Sequence, residues 1–151
     1  MNNRSWTVTR TILIAVVVIG LGIDAYVHLD LAGPYDGVKS SVLTQGDLFR
    51  VEAALAIVAA LALAIRPRRY TALLAFVVSA GGLAAVLVYG YVNVGAIGPL
   101  PNMYDPLWYP EKTRSAWAEG IAAAAALALL VLMEMHRRQS TTKPLTGAAA
   151  R

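Results

Sequence analysis

Four long apolar runs joined by short polar segments, a hydrophobic content of 58% against 15% charged residues, and a mean hydropathy of +0.57 predict an all-α transmembrane four-helix bundle. Its order is up-down-up-down, with both termini cytoplasmic. Soluble proteins carry about 25% charged residues, so a soluble enzyme is excluded. A hydrocarbon layer about 30 Å thick needs roughly 20 helical residues per crossing. Four crossings therefore fit within 151 residues. The absence of cysteine excludes disulfide exchange, iron–sulfur clusters and thiolate metal sites. The chain divides into a four-span membrane domain over residues 1–136 and a tail over 137–151 that is expected to be disordered and cytoplasmic.

Span one is expected over residues 11–29, where Asp24 is the only charge. Residues 1–33 also have the outline of a secretory signal, with Arg4 and Arg10 ahead of an apolar run that ends near Ala32-Gly33. That run is long enough to span, and it lacks the small-residue cleavage pattern, so it reads as a span. Span two is expected over 46–65. Thr44 and Asp47 are spaced as an N-cap and its third-position carboxylate, although Gly46 inside that turn speaks against it. Arg66-Pro67-Arg68-Arg69 stops the span. Tyr70 to Ile97 holds no charge, so span three, over 70–96, is longer than one crossing requires and should tilt or project past the interface. Span four, over 115–135, is rich in alanine and bounded by Arg114 and by Glu134 with His136-Arg137-Arg138.

Orientation follows from lysine and arginine, which are in excess on cytoplasmic flanks. Arg4, Arg10, Arg66, Arg68, Arg69, Arg137, Arg138, Lys143 and Arg151 lie at the termini or between spans two and three, leaving only Lys39, Arg50, Lys112 and Arg114 for the other two loops. Residues 30–47 and 98–113 should therefore face outward. The net charge of +4 belongs mostly to the cytoplasmic flanks, which suits anionic headgroups and not nucleic acid. Helices in lipid associate through small residues. Ala56, Ala60 and Ala64, then Ser79, Ala80, Gly81, Gly82 and Ala85, then Gly120, Ala124 and Ala128 offer such faces, for packing within the bundle or for a homo-oligomer.

Acidic residues and aromatic residues both concentrate toward the outer end. At 1.5 Å per residue, Asp24, Glu52 and Glu119 fall at one depth. Asp24 and His28 share a helical face one turn apart. Arg50 and Arg114 are within reach of this layer, and Tyr89, Tyr91 and Asn93 approach it from span three. Three readings compete. A buried ion-pair network would join Asp24 or Glu119 to Arg50 or Arg114. A metal site would take nitrogen from His28 and oxygen from Asp24, Glu52 and Glu119, a set suited to zinc, manganese or iron. A tyrosine-lined pocket would take a lipid headgroup, quinone or other amphiphile. The loop from Gly98 to Pro110 holds four prolines, at 99, 101, 106 and 110, which stiffen it. With Tyr104, Trp108 and Tyr109 it should be an interfacial anchor or a lid.

Gly-rich phosphate loops, a G-x-S-x-G elbow and an H-E-x-x-H pair are all absent from the sequence. Haem held between His28 and His136 is disfavoured by their opposite ends. Alternating-access transport is disfavoured because the acidic layer is off centre. His28-Leu29 closing span one, Leu48-Phe49 opening span two, the Arg-Pro-Arg-Arg cluster and Glu119-Gly120 opening span four resemble the small four-span integral membrane proteins of high-GC Gram-positive bacteria. The resemblance implies the four-helix layout and a bacterial plasma-membrane location, and it singles out His28 and Glu119; that group has no established activity. The expected function is a non-catalytic accessory or ligand-binding membrane protein, with a metal-dependent enzyme or redox accessory as the alternative. No cofactor is the leading expectation and a divalent metal the second. Expected partners are the lipid bilayer and a larger membrane complex or homo-oligomer.

Overall fold

A charge ends an apolar run but does not end a helix, and the computed structural model, which describes residues 3–141, shows the consequence. Its four long helices are α1 (Asn3–Ala32), α2 (Gln45–Ile65), α3 (Arg69–Tyr91) and α4 (Pro110–Thr141), with a 3-10 turn over Pro34–Gly37. All four are long and apolar enough to cross a membrane. At 1.5 Å per residue α1 and α4 reach about 45 and 48 Å, well beyond the hydrocarbon thickness. Their polar ends stay helical and pack together. The Trp6 ring stacks on His136 with centroids 4.3 Å apart, Arg10 lies over Trp6, and the Arg10 guanidinium donates to the Pro67 carbonyl at 2.8 Å. The expected start of the tail at 137 is thus corrected, since the helix runs on to Thr141; residues 142–151 lie outside the described residues.

The start of α2 has a local cause. Thr44 Oγ1 accepts from the Asp47 amide at 2.9 Å and the Asp47 carboxylate accepts from the Thr44 amide at 3.0 Å, so both orphan donors are satisfied reciprocally. Gly46 serves this turn. A side chain there would run into the Ala32 carbonyl and the Asp36 carboxylate, so the glycine lets the end of α1 press on the start of α2. Helix α3 is shorter than expected, ending at Tyr91 and not near residue 96. Val92 is already extended, and Gly95 and Gly98 adopt positive φ of 70° and 56°, a region open to glycine.

The helices form a ring in which α1 packs closely on α2 and α4, α3 packs closely on α4, and α2 meets α3 more loosely. Residue sizes are distributed as lipid requires. Ala53, Ala56, Ala59, Ala72, Ala75, Ala122 and Ala126 are buried, while Ile12, Ile19, Leu55, Val58, Leu61, Val77 and Leu127 are exposed. Lipid solvates large side chains as well as a protein interior does, so closeness of backbones decides what goes inside. At Gly20 an added Cβ would sit 2.9 Å from both the Ala118 carbonyl and the Ala122 Cβ. The small-residue faces need correction on three helices: Ala64 on α2, Gly81 and Ala85 on α3, and Ala124 and Ala128 on α4 are exposed, and on α4 Ala118, Ala122, Ala125 and Ala126 are buried. One end of the bundle carries residues 33–44 and 92–109, and the other carries the 66–68 link with both ends of the described chain.

Candidate functional site

The polar residues that the bundle buries meet about 6–14 Å inside the loop end, counting at 1.5 Å per residue from the helix ends. Asp24 and Glu119 are fully buried, Ser115 is 3% exposed and His28 7% exposed. Asp24 and His28 come from α1 and Ser115 and Glu119 from α4; each pair is one helical turn apart and so shares a face. Ser115 Oγ donates to Asp24 Oδ1 at 2.8 Å. His28 Nδ1 lies 2.9 Å from the same oxygen and 3.1 Å from the Asp24 carbonyl. Both neighbours are acceptors, so Nδ1 carries the proton.

Glu119 and Glu52 complete the cluster. Both Glu119 oxygens, Asp24 Oδ2 and Glu52 Oε1 are buried without a hydrogen-bond partner. Helix α3 makes room for them at Gly82, where an added Cβ would collide with Glu119 Oε1 and lie 3.1 Å from Glu52 Oε1. Donor atoms of Asp24, His28 and Glu119 fall within 4.8 Å of one another. Among the described residues no lysine or arginine is paired with these three carboxylates. Such a group of acids in a low-dielectric interior keeps its charge balance only with protons or with a cation.

A cavity of about 190 Å³ opens onto this cluster from the loop end. Its walls are apolar, with Leu48 and Phe49 from α2 and Ala85 and Val86 from α3; His28, Glu52 and Ser115 line its deeper part and Tyr89, Tyr109 and Lys112 the part nearer the loops. The loop after α3 folds over it. The Asp105 amide donates to the Tyr89 carbonyl at 3.0 Å, and Tyr35 and Tyr109 share a hydroxyl hydrogen bond of 2.7 Å, with Tyr35 also donating to Asp105 Oδ2 at 3.2 Å. Lys112 is buried, bonded to the Asp105 carbonyl and 5.3 Å from the Trp108 ring centroid. Burial pushes the Tyr35 and Tyr109 phenols above their usual range. Ser40 Oγ ties the other loop to the Pro99 carbonyl at 2.7 Å.

The structure brings Asp24, His28, Glu52 and Glu119 together and separates the two arginines from them. Arg50 makes a two-pronged contact with Asp36, 2.8 Å at each prong, and reaches Asp47 at 3.3 Å. The Arg50 guanidinium holds the Asp36 carboxyl below its usual range. Arg114 pairs with Glu111 at 3.4 Å on the surface. The expected ion-pair network of Asp24 or Glu119 with Arg50 or Arg114 is therefore corrected: long side chains near a helix end carry their charge outward to water. Tyr89 lines the cavity. Tyr91 is exposed and faces Trp108 with centroids 6.0 Å apart. Asn93 lies in the loop, where its side-chain Oδ1 accepts from Asn102 Nδ2 at 3.2 Å. Sequence reasoning missed Ser115, Lys112 and the role of Gly82. The signal for Ser115 was its place one turn before Glu119.

No family model, no curated protein and no solved structure matches this chain.

Proposed function

We propose that the chain is a multi-pass protein of the bacterial plasma membrane, with both termini cytoplasmic, that binds the head of a small amphiphile in the cavity at its loop end. It acts as a ligand-binding or accessory protein within the bilayer, alone, in a homo-oligomer or in a larger membrane complex. The observation that carries this reading is the cavity of about 190 Å³ with apolar walls and a polar floor. A cavity of about 150 Å³ accommodates a benzene ring, so this one suits a single substituted ring or a compact headgroup, with the apolar remainder left in lipid. His28 and Glu52 at the floor and Tyr109 and Lys112 near the loops offer the few convergent polar groups that fix a ligand's orientation.

The test uses full-length protein in mild detergent, with a short-chain benzoquinone and a dioctanoyl phospholipid as separate probes. One of them should bind saturably at one per chain, and Ala85→Trp, which fills the cavity from α3, should abolish that binding while the protein keeps its helical content. Binding of neither probe, or equal binding by Ala85→Trp, would overturn the reading.

A further inference from the structure

We infer that Asp24, His28 and Glu119 form a binding site for one divalent transition-metal ion, with Glu52 as an adjoining donor. This goes beyond the amphiphile reading and does not depend on it: His28 and Glu52 line the cavity floor, but Asp24 and Glu119 lie outside the cavity lining.

Four buried carboxylate oxygens lack partners, and two of them belong to Glu119, which is fully buried. A proton on Glu119 would let it pair with Asp24, but it still leaves the second Glu119 oxygen and Glu52 Oε1 without a donor. A divalent ion gives these oxygens a common partner and offsets the two negative charges of Asp24 and Glu119. The spacing fits. Two donors at about 2.1 Å from an ion are about 3.4 Å apart in a tetrahedral shell, and about 3.0 Å (adjacent) or about 4.2 Å (opposite) apart in an octahedral one. His28 Nδ1 and Asp24 Oδ1 are 2.9 Å apart, and the donor atoms of the trio all lie within 4.8 Å of one another, so a closure of under about 1 Å per donor suffices. The ion would replace the proton that Nδ1 now shares with Asp24.

Ser115, donating to Asp24 Oδ1, supplies the supporting hydrogen bond that orients a ligating carboxylate. Gly82 keeps the space in which Glu119 and Glu52 approach each other. One nitrogen with two or three carboxylate oxygens selects zinc, manganese or ferrous iron. Calcium and magnesium prefer all-oxygen sets, and the lack of cysteine disfavours cuprous copper. The cavity lined by His28, Glu52 and Ser115 gives the ion its route in.

The experiment titrates zinc, manganese and ferrous ions separately into full-length protein stripped with chelator, reading bound metal by elemental analysis and apparent melting temperature. At least one ion should bind at one per chain and raise the melting temperature, reversibly by chelator. Glu119→Gln and His28→Ala should each lower bound metal at least tenfold, and Asp36→Asn, on the exposed loop pair, should not. Should either variant fail to fold, cobalt(II) spectra of the wild-type protein decide: visible bands distinct from aqueous cobalt support the site. An aqueous spectrum, no saturable binding of any of the three ions, or full metal retention in folded Glu119→Gln and His28→Ala would overturn it.

Discussion

Gly81 and Gly82 are adjacent on α3 and should respond to alanine with opposite signs. Both lie inside a helix, where alanine is favoured over glycine by about 0.8–1.0 kcal/mol. Nothing lies within 4 Å of a Cβ at Gly81, so Gly81→Ala should keep that whole gain. At Gly82 the new methyl would meet Glu119 Oε1 and come within 3.1 Å of Glu52 Oε1. Glu119 is fully buried, so its carboxylate must give way inside a packed bundle, an overpacking cost of about 1–3 kcal/mol. Because the atom struck is the end of a side chain, the cost belongs toward the lower part of that range. Gly82→Ala should then be less stable than Gly81→Ala by about 1–2 kcal/mol, which is several degrees at roughly 2–4 °C per kcal/mol for a chain of this size. The assay is thermal unfolding in detergent followed by tryptophan fluorescence. A Gly82→Ala protein as stable as Gly81→Ala would refute the packing of the two glutamates against α3.

Thr44→Ala removes the N-cap of α2 and should cost about 1 kcal/mol, read in the same melt and as faster hydrogen exchange at the Asp47 amide. The Tyr35 and Tyr109 phenols titrate above their usual value of 10.0. The folded state therefore holds more protons than the unfolded state above about pH 10, and their contribution is complete below that pH and lost as pH rises through their raised values. Ultraviolet titration of tyrosinate should show a late-ionising component to which Tyr35 and Tyr109 contribute, and Tyr35→Phe should reduce it. Single cysteines at Ser41 and Asn102 should react with an impermeant thiol reagent on intact cells while one at Thr141 should not; labelling at Thr141 alone would invert the proposed orientation.

The four spans were legible because membrane thickness sets a length that apolar runs either meet or miss, and the order of the bundle followed from the short links. Helix ends were less legible. Residues 3–10 and 137–141 carry charge, which stops a span, yet their backbones stay helical because Trp6, Arg10 and His136 pack on one another and on the 66–68 link. Counting residues placed Asp24, Glu52 and Glu119 at one depth, and depth is what such counting measures. Azimuth and reach lie outside it: Arg50 is at the right height but spends its guanidinium on Asp36, a partner across a loop. Gly82 was legible as a small residue on a packing face. That the space it leaves is taken by two carboxylates, and not by another helix backbone, depended on the register of α3 against α2 and α4.

The central claim is that α1 and α4 bring Asp24 and Ser115 together at the floor of the cavity. It is tested most directly by cross-linking in native membranes, which the absence of native cysteine makes clean. Asp24→Cys with Ser115→Cys should form an intramolecular bridge on mild oxidation or with mercuric ion, read by whether the halves stay joined after cleavage at a protease site inserted between Val94 and Gly95. The control pair, Ile23→Cys with Ser115→Cys, places one thiol on the exposed face of α1 and should not bridge. Bridging of the first pair alone is the predicted result; no bridge in the first pair, or equal bridging in both, would contradict the account.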